Sequence, residues 1–247
     1  MSLPINQIIC GDCIEVIKTF PDESIDLVVT SPPYNIGKEY EERILTNKEY
    51  YNLIFESFLS IKRILKKDGR ICFNVPFSMN RRGQIFYIFP IVLKAFQDSS
   101  LNIRDLIIWD QMYSGSNTAW GSWKSPSSPW LRHLTELILL GYKSIWKKEK
   151  KGKSDLETKE FMGWTLDKWR FSANTGLRKK HPTAFPEELP IRCIKLFSYI
   201  DDIILDPFVG SGTTCVVAQK LGRRWIGIDV SSEYCNIARQ RLSEING

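Results

Sequence analysis

Short apolar runs alternate with segments of helical period at both ends of the chain. Ile8–Cys10 and Ile25–Thr30 read as buried strands, with a short helix from about Cys13 to Phe20 between them. Thr46 and Glu49 stand at the spacing of a capping box, so a helix starts there, with Tyr51, Ile54, Phe55, Phe58 and Leu65 along one face. Gly69 suits the C′ position that would end it. Ile71–Val75, Leu106–Trp109 and Leu137–Leu140 read as further strands. Near the end come a strand over Asp202–Leu205, a glycine loop, a helix over Thr213–Leu221, a strand over Trp225–Asp229 and a helix over Ser231–Ile245. Alternation of this kind predicts an α/β fold with a mainly parallel sheet.

The middle differs from both ends. Between Gln111 and Lys180 it is turn-rich, and it holds six of the eight tryptophans. Twelve basic residues and five acids lie between Gly141 and Lys180, a local charge of +7 against +6 for the chain, so everything else sums to −1. A basic block on a near-neutral body points to a polyanionic partner, although a solvated lysine-rich loop has the same composition. Lys143, Lys147, Lys148, Lys150, Lys151 and Lys153 are the dense part of that block, and Arg170 and Arg178 flank it. Lysines so crowded suit phosphates, whereas a guanidinium can pair with guanine. Residues 141–175 are therefore expected to form a basic insert that recognises the target. Residues 1–140 and 176–247 would supply the two halves of one core.

Several classes drop out on composition. The longest apolar run, Ile85 to Leu93, has nine residues and contains Pro90, about half of what a spanning helix needs. The first thirteen residues lack a basic leader and carry Asp12, so a cytoplasmic location is expected. Six cysteines in a chain of 247 residues do not read as a disulfide framework, and Cys10 and Cys13 form a lone C-x-x-C without a second pair. His133 and His181 are far apart, so no metal site is expected.

Two stretches carry chemistry. Asp206-Pro-Phe208-Val-Gly210-Ser211-Gly212-Thr213-Thr lies between a strand and a helix, and the next strand ends on Asp229. Glycines there let the backbone approach a ligand at the helix N-terminus, and an acid at the end of the second strand can take ribose hydroxyls. Only 41 residues follow Asp206, too few to complete the sheet, so the remaining strands come from upstream and the unit sits at a permuted end. Asp12, at the carboxyl edge of the first strand, would stand beside the same crevice.

The second stretch is Thr30-Ser31-Pro32-Pro33-Tyr34, directly after a strand. Two prolines cannot donate hydrogen bonds and hold the backbone nearly fixed, which presents the Ser31 hydroxyl and the Pro32 carbonyl as acceptors. An exocyclic base amine is a poor nucleophile because its lone pair is delocalised into the ring. Acceptors placed off its plane aim that lone pair and stabilise the charge that grows as a methyl group arrives. Tyr34 can stack on a base swung out of the duplex. Chemistry at cytosine C5 is excluded, because it needs a thiolate, typically in a Pro-Cys pair, and none of the twelve prolines precedes a cysteine.

Together these residues resemble the β class of S-adenosylmethionine-dependent DNA amino-methyltransferases, in which the catalytic motif precedes the cofactor motif. The resemblance implies a Rossmann-like, circularly permuted fold with S-adenosylmethionine as cofactor and double-stranded DNA as partner. On it, Asp206, Phe208, Gly210, Ser211, Gly212 and Thr213 form the cofactor loop and Asp229 is the ribose acid. Gly11, Asp12 and Cys13 resemble the adenine-contacting turn, and His181, Thr183 and Phe185 line the methionine side. Thr30 stands with the cofactor set, and Ser31, Pro32, Pro33 and Tyr34 are the catalytic motif. Ala119-Trp-Gly-Ser-Trp-Lys-Ser-Pro with the later Glu136 resembles another stretch of this group. Serine at the first catalytic position resembles the N4-cytosine members, with N6-adenine as the alternative. A module that binds nucleic acid without catalysis is a third reading. Resemblance to restriction–modification enzymes also implies a cognate endonuclease, and the short insert is compatible with a second protomer supplying contacts.

Overall fold

In a computed structural model, residues 2–35, 44–81, 84–112, 121–129, 131, 133–173 and 185–245 are described. One twisted sheet organises them. Its strands in chain order are β1 (Gln7–Cys10), β2 (Ile25–Thr30), β3 (Leu65–Pro76), β6 (Asn102–Asp110), β7 (Thr135–Tyr142), β8 (Lys168–Arg170), β9 (Ile203–Asp206) and β10 (Arg224–Asp229). The spatial order is β1-β10-β9-β2-β3-β7-β6-β8. The first five in that order are mutually parallel, β7 runs against β3 and β6, and β8 is parallel to β6. A small hairpin of β4 (Met79–Arg81) and β5 (Gln84–Phe86) follows β3.

Helices cover both faces. On one lie α1 (Cys13–Lys18), α2 (Asn47–Ile64) and α3 (Ile88–Asp98), packing Ile17, Ile54, Phe58 and Val92 on the sheet. On the other lie α5 (Glu188–Phe197), α6 (Thr213–Lys220) and α7 (Ser232–Ser243), with Cys193, Cys215, Cys235 and Leu242 inward. A short α4 (Thr158–Trp164) precedes β8. Strand β2 is buried at every position, Ile25 and Val28 joining the first core and Leu27 and Val29 the second. A continuous apolar run fits such a strand, covered on both sides. Among the described residues no helix is long and apolar enough to cross a membrane.

The capping box forms as the spacing predicts. Thr46 accepts from the Glu49 amide, and Glu49 in turn accepts from the amide of Thr46. The far end of α2 departs from expectation: the helix stops at Ile64, and Leu65 already has extended dihedrals (φ −61°, ψ 136°) and pairs with Ile25. Gly69 is thus not a helix cap but part of β3, where a Cβ would come within 2.9 Å of Lys66 backbone. Helix α3 crosses the apolar run that contains Pro90, which occupies the first turn, where a missing N–H breaks no helical bond.

Strands β2 and β9 are neighbours, yet the chain leaves them in opposite directions across the sheet, toward β3 and β10. The crevice beyond the carboxyl ends at such a reversal is where open α/β sheets bind ligands. The Ser31 turn follows β2, and the Asp206 loop follows β9.

Candidate active site

Residues from four stretches meet in a cavity of about 500 Å³ at that edge, a size typical of small-ligand sites. Gly11, Asp12 and Cys13 come from the end of β1, Ser31, Pro32 and Pro33 from the end of β2, Phe208 and Gly210 from the loop after β9, and Asp229 from the end of β10. Asn35, Leu45, Tyr50, Leu53, Pro207, Val230 and Tyr234 complete the wall.

The loop after β9 is tightly built. Gly210 and Gly212 have φ of 49° and 83°, in the left-handed region that favours glycine. A side chain at Gly212 would also meet the Ala238 Cβ at 2.8 Å, so α7 could not pack as it does. Asp229 is fastened by two amides, its Oδ2 accepting from Gly210 at 2.8 Å and its Oδ1 from Ser231 at 2.9 Å. Burial raises its carboxyl above the ordinary aspartate range, and those two amides oppose the rise.

Asp206 lies deeper, at 2 % exposure, and Thr30 and Phe208 satisfy its Oδ1: the Thr30 hydroxyl donates at 2.5 Å and the Phe208 amide at 3.1 Å. Burial pushes its pKa up to about 6 against the pull of those donors. Thr30 is accordingly a support behind the loop rather than part of the cavity wall. Ser211 and Thr213 also lie behind it, both held by the Arg241 guanidinium, whose Nη1 reaches the Ser211 carbonyl at 2.6 Å and the Thr213 hydroxyl at 3.1 Å. Asp12 is the N-cap of α1, its Oδ1 accepting from Ile14 and Glu15. Cys13 is buried, with a thiol pushed up to about 12 by burial.

The Ser31–Tyr34 turn rests on a polar cluster that spacing along the chain does not reveal. Asn74 of β3 donates through Nδ2 to the Ser31 hydroxyl oxygen at 3.2 Å and to Glu136 Oε2 at 2.5 Å. Glu136 Oε1 accepts from Gln111 Nε2 at 2.6 Å, and the Tyr34 hydroxyl reaches Oε2 at 3.5 Å. Burial raises the Glu136 carboxyl, with Asn74, Gln111 and Tyr34 opposing. The ring of Tyr34 is 5 % exposed and packs in the first core. Antiparallel pairing puts the start of β7, not its end, beside the ends of β3 and β6, which is why residues so distant in sequence meet.

Two expected sets are placed differently. Phe185 packs half-buried on the second core and is absent from the cavity wall, while His181, Thr183 and Arg178 lie outside the described residues. The basic run lies along the edge of the sheet opposite this cavity. Tyr142 pairs with Arg70 near the start of β3, and the chain then follows the amino edge of the sheet. Lys143 donates to the carbonyls of Arg63 and Leu65, and Lys148, its side chain 9 % exposed, pairs with Asp26 and Asp202. Asp26 and Ser31 sit at opposite ends of β2, roughly 17 Å apart at the usual rise per residue. Lys147, Lys150, Lys151 and Lys153 are exposed along the same stretch. Nor is 141–175 set apart from the core, because β8 within it is an edge strand of the main sheet. Among the described residues of this set, only Arg170 reaches the carboxyl edge, where it pairs with Asp110 at 3.3 Å.

A family of proteins described as DNA methylase, acting at N6 or N4, matches residues 25–240. The chain belongs to that N6/N4 family of DNA methylases. It is 30% identical to the type II methyltransferase M.ScaI of Streptomyces caespitosus over 94% of this chain and 79% of that one. It is 31% identical to the DNA adenine methyltransferase YhdJ of Escherichia coli K12 over 95% and 82%. Among solved structures, TTHA0409 of Thermus thermophilus in complex with S-adenosyl-L-methionine superposes with a TM-score of 0.78 at 25% identity, covering 96% of this chain and 95% of that one. PvuII DNA methyltransferase, cytosine-N4-specific, shares the fold at a TM-score of 0.76 and 23% identity over 95% and 85%. These neighbours carry the α/β methyltransferase fold expected from the sequence. Arg241, Asn74 and Gln111, together with the wall residues Leu45, Tyr50, Leu53, Val230 and Tyr234, are site residues that sequence reasoning missed.

Proposed function

We propose that this DNA methylase transfers a methyl group from S-adenosylmethionine to the exocyclic N4 of cytosine in double-stranded DNA, with the target base turned out of the helix. The cofactor supplies an electrophilic methyl group on a sulfonium. The residues present fit it: the buried Asp206 and half-buried Asp229 carboxylates have no lysine or arginine partner among the described residues, and Asp229 stands in the cavity wall. Asp229 would take the ribose hydroxyls, and Asp206 with the Phe208–Gly212 loop would hold the ammonium end. Phe208 and the turn at Asp12 and Cys13 would border the rest of the molecule.

The observation that carries the cytosine reading is Ser31. A neutral hydroxyl oxygen in the cavity wall, held by Asn74 and backed by two prolines, accepts from the target amine and aims its lone pair without adding a charge. The adenine alternative remains a matter for the product, since the family embraces both amines. Its type II relatives favour a restriction–modification setting, with a cognate restriction endonuclease as partner. A second copy of the chain would add further DNA contacts.

Duplex DNA incubated with the chain and labelled cofactor, digested to nucleosides and resolved by mass, tests the reading. N4-methyldeoxycytidine is the expected product. N6-methyldeoxyadenosine would replace the cytosine assignment, and an unlabelled digest would overturn methyl transfer to DNA.

A further inference from the structure

We propose that Glu136 is a positioning residue for methyl transfer, holding Asn74 so that the Ser31 hydroxyl oxygen stays turned toward the target amine. The proposal rests on the methyl-transfer reading above. Asn74 is 1 % exposed, and both of its Nδ2 hydrogens are committed, one to Ser31 and one to Glu136. Its own carbonyl oxygen Oδ1 is buried with no hydrogen-bond partner among the described residues. A buried amide ordinarily turns to satisfy both of its ends. Here the other orientation would bring Oδ1 against Glu136 Oε2 at the 2.5 Å that Nδ2 now occupies, two acceptors in contact.

An acceptor oxygen at position 136 therefore fixes which way Asn74 faces, and Asn74 in turn engages one lone pair of the Ser31 oxygen. The remaining lone pair is the one available to a base amine. Gln111 and Tyr34 steady the carboxylate from the other side. Glu136 belongs to this chain of contacts alone: among the described residues it pairs with no lysine or arginine, and it is absent from the cavity wall.

The test is a double-mutant cycle in the full chain on duplex DNA, read as single-turnover rate and, separately, as S-adenosylmethionine affinity. Ser31→Ala alone should slow transfer by about 10²–10³, as removal of one preorganised polar contact does. Glu136→Leu, which fills the space but offers no acceptor, should slow it at least tenfold with cofactor affinity unchanged, and Glu136→Gln, whose amide oxygen can still accept from Asn74, should recover most of that loss. In the Ser31→Ala background the Glu136→Leu effect should shrink below about twofold, because interacting residues fail to add. A Glu136→Leu enzyme at the wild-type rate, an equal loss in both backgrounds, or a Glu136→Gln enzyme as slow as Glu136→Leu would overturn the proposal. Should Glu136→Leu fail to fold, Asn74→Ala breaks the same link from its other end, and the same cycle with it decides. A wild-type chain that labels no DNA would overturn the functional reading and this inference with it, whereas an active wild type with an additive cycle overturns this inference alone.

Discussion

The two edges of the sheet each hold buried or half-buried carboxylates, and they treat them in opposite ways. At the amino edge Asp26, 4 % exposed, accepts from the Ile203 amide at 2.9 Å and from Lys66 at 2.6 Å, with Lys148 at 3.8 Å. Lys148 also reaches Asp202, and nearby Asp155 grips the buried Arg223 through both oxygens at 2.7 Å. At the carboxyl edge Asp206, Asp229 and Glu136 receive hydroxyl, amide and side-chain amide donors but no lysine or arginine among the described residues. Burial raises all three. Buried carboxylates are normally paired or shifted. Where the chain supplies the cation the cluster is structural; at the other edge Asp229 borders the cavity and, with Asp206 behind it, leaves room for a ligand that brings one, while Glu136 stays with its amide donors.

Removing a carboxylate from the second kind of edge should cost binding rather than folding. Asp229→Ala should weaken S-adenosylmethionine binding by about tenfold to a hundredfold, the equivalent of a charge-assisted hydrogen bond of about 1.5–3 kcal/mol. The melting temperature without cofactor should stay close to that of the wild type. Calorimetry showing unchanged affinity would move the ribose diol elsewhere.

Acid should reach the same edge by titration. With its pKa pushed up to about 6, Asp206 holds its proton more firmly in the folded chain than in the unfolded one. Its contribution to folding therefore favours the native state at acid pH and is lost as pH rises from about 4 through 6. A cationic ligand has the opposite preference, since it binds the ionised carboxylate. Cofactor affinity should accordingly be about tenfold lower at pH 5 than at pH 8, where ionisation is complete. An affinity flat across that range would show that Asp206 does not face the ammonium.

How much of this contrast the sequence discloses depends on separation along the chain. The capping box at Thr46 and the strand–loop–helix at Asp206 are local, each spelled out within twenty residues, and both form where the spacing predicts. Gly69 misled because a glycine after a helical pattern is a stop signal, yet Leu65 gains more by pairing with Ile25 in the buried sheet than by extending α2. Asn74 and Glu136 are 62 positions apart, and only the antiparallel entry of β7 joins them. Composition says least about placement in the basic run. Charge counts cannot see that Asp26 and Asp202, far away in sequence, wait at the amino edge for Lys148.

Breaking the first kind of edge should give the mirror result. Lys148→Met should leave Asp202 without its lysine and Asp26 with Lys66 alone, and destabilise the fold by about 1–3 kcal/mol, a drop in Tm of several degrees. Single-turnover transfer below the melting range should remain at the wild-type rate. A slowed transfer with unchanged Tm would tie this edge to function instead.

The smallest effect expected is none at all. Lys147, Lys150, Lys151 and Lys153 are exposed at the amino edge, away from the cavity where the target base must enter. Each phosphate contact contributes about −0.9 to the slope of log affinity against log salt, so four lysines on DNA would flatten that slope by about 2–4 units when neutralised. Placed on the far side of the sheet, they should change it by less than one. Arg170 is the internal control: it stands at the carboxyl edge, paired with Asp110, and Arg170→Ala should weaken DNA binding while the quadruple lysine variant does not. Titrations of both variants against duplex DNA at several salt concentrations read the two edges side by side. A quadruple variant that flattens the slope by two units or more would put the lysine run on DNA after all, and with it a DNA path that wraps from one edge of the sheet to the other.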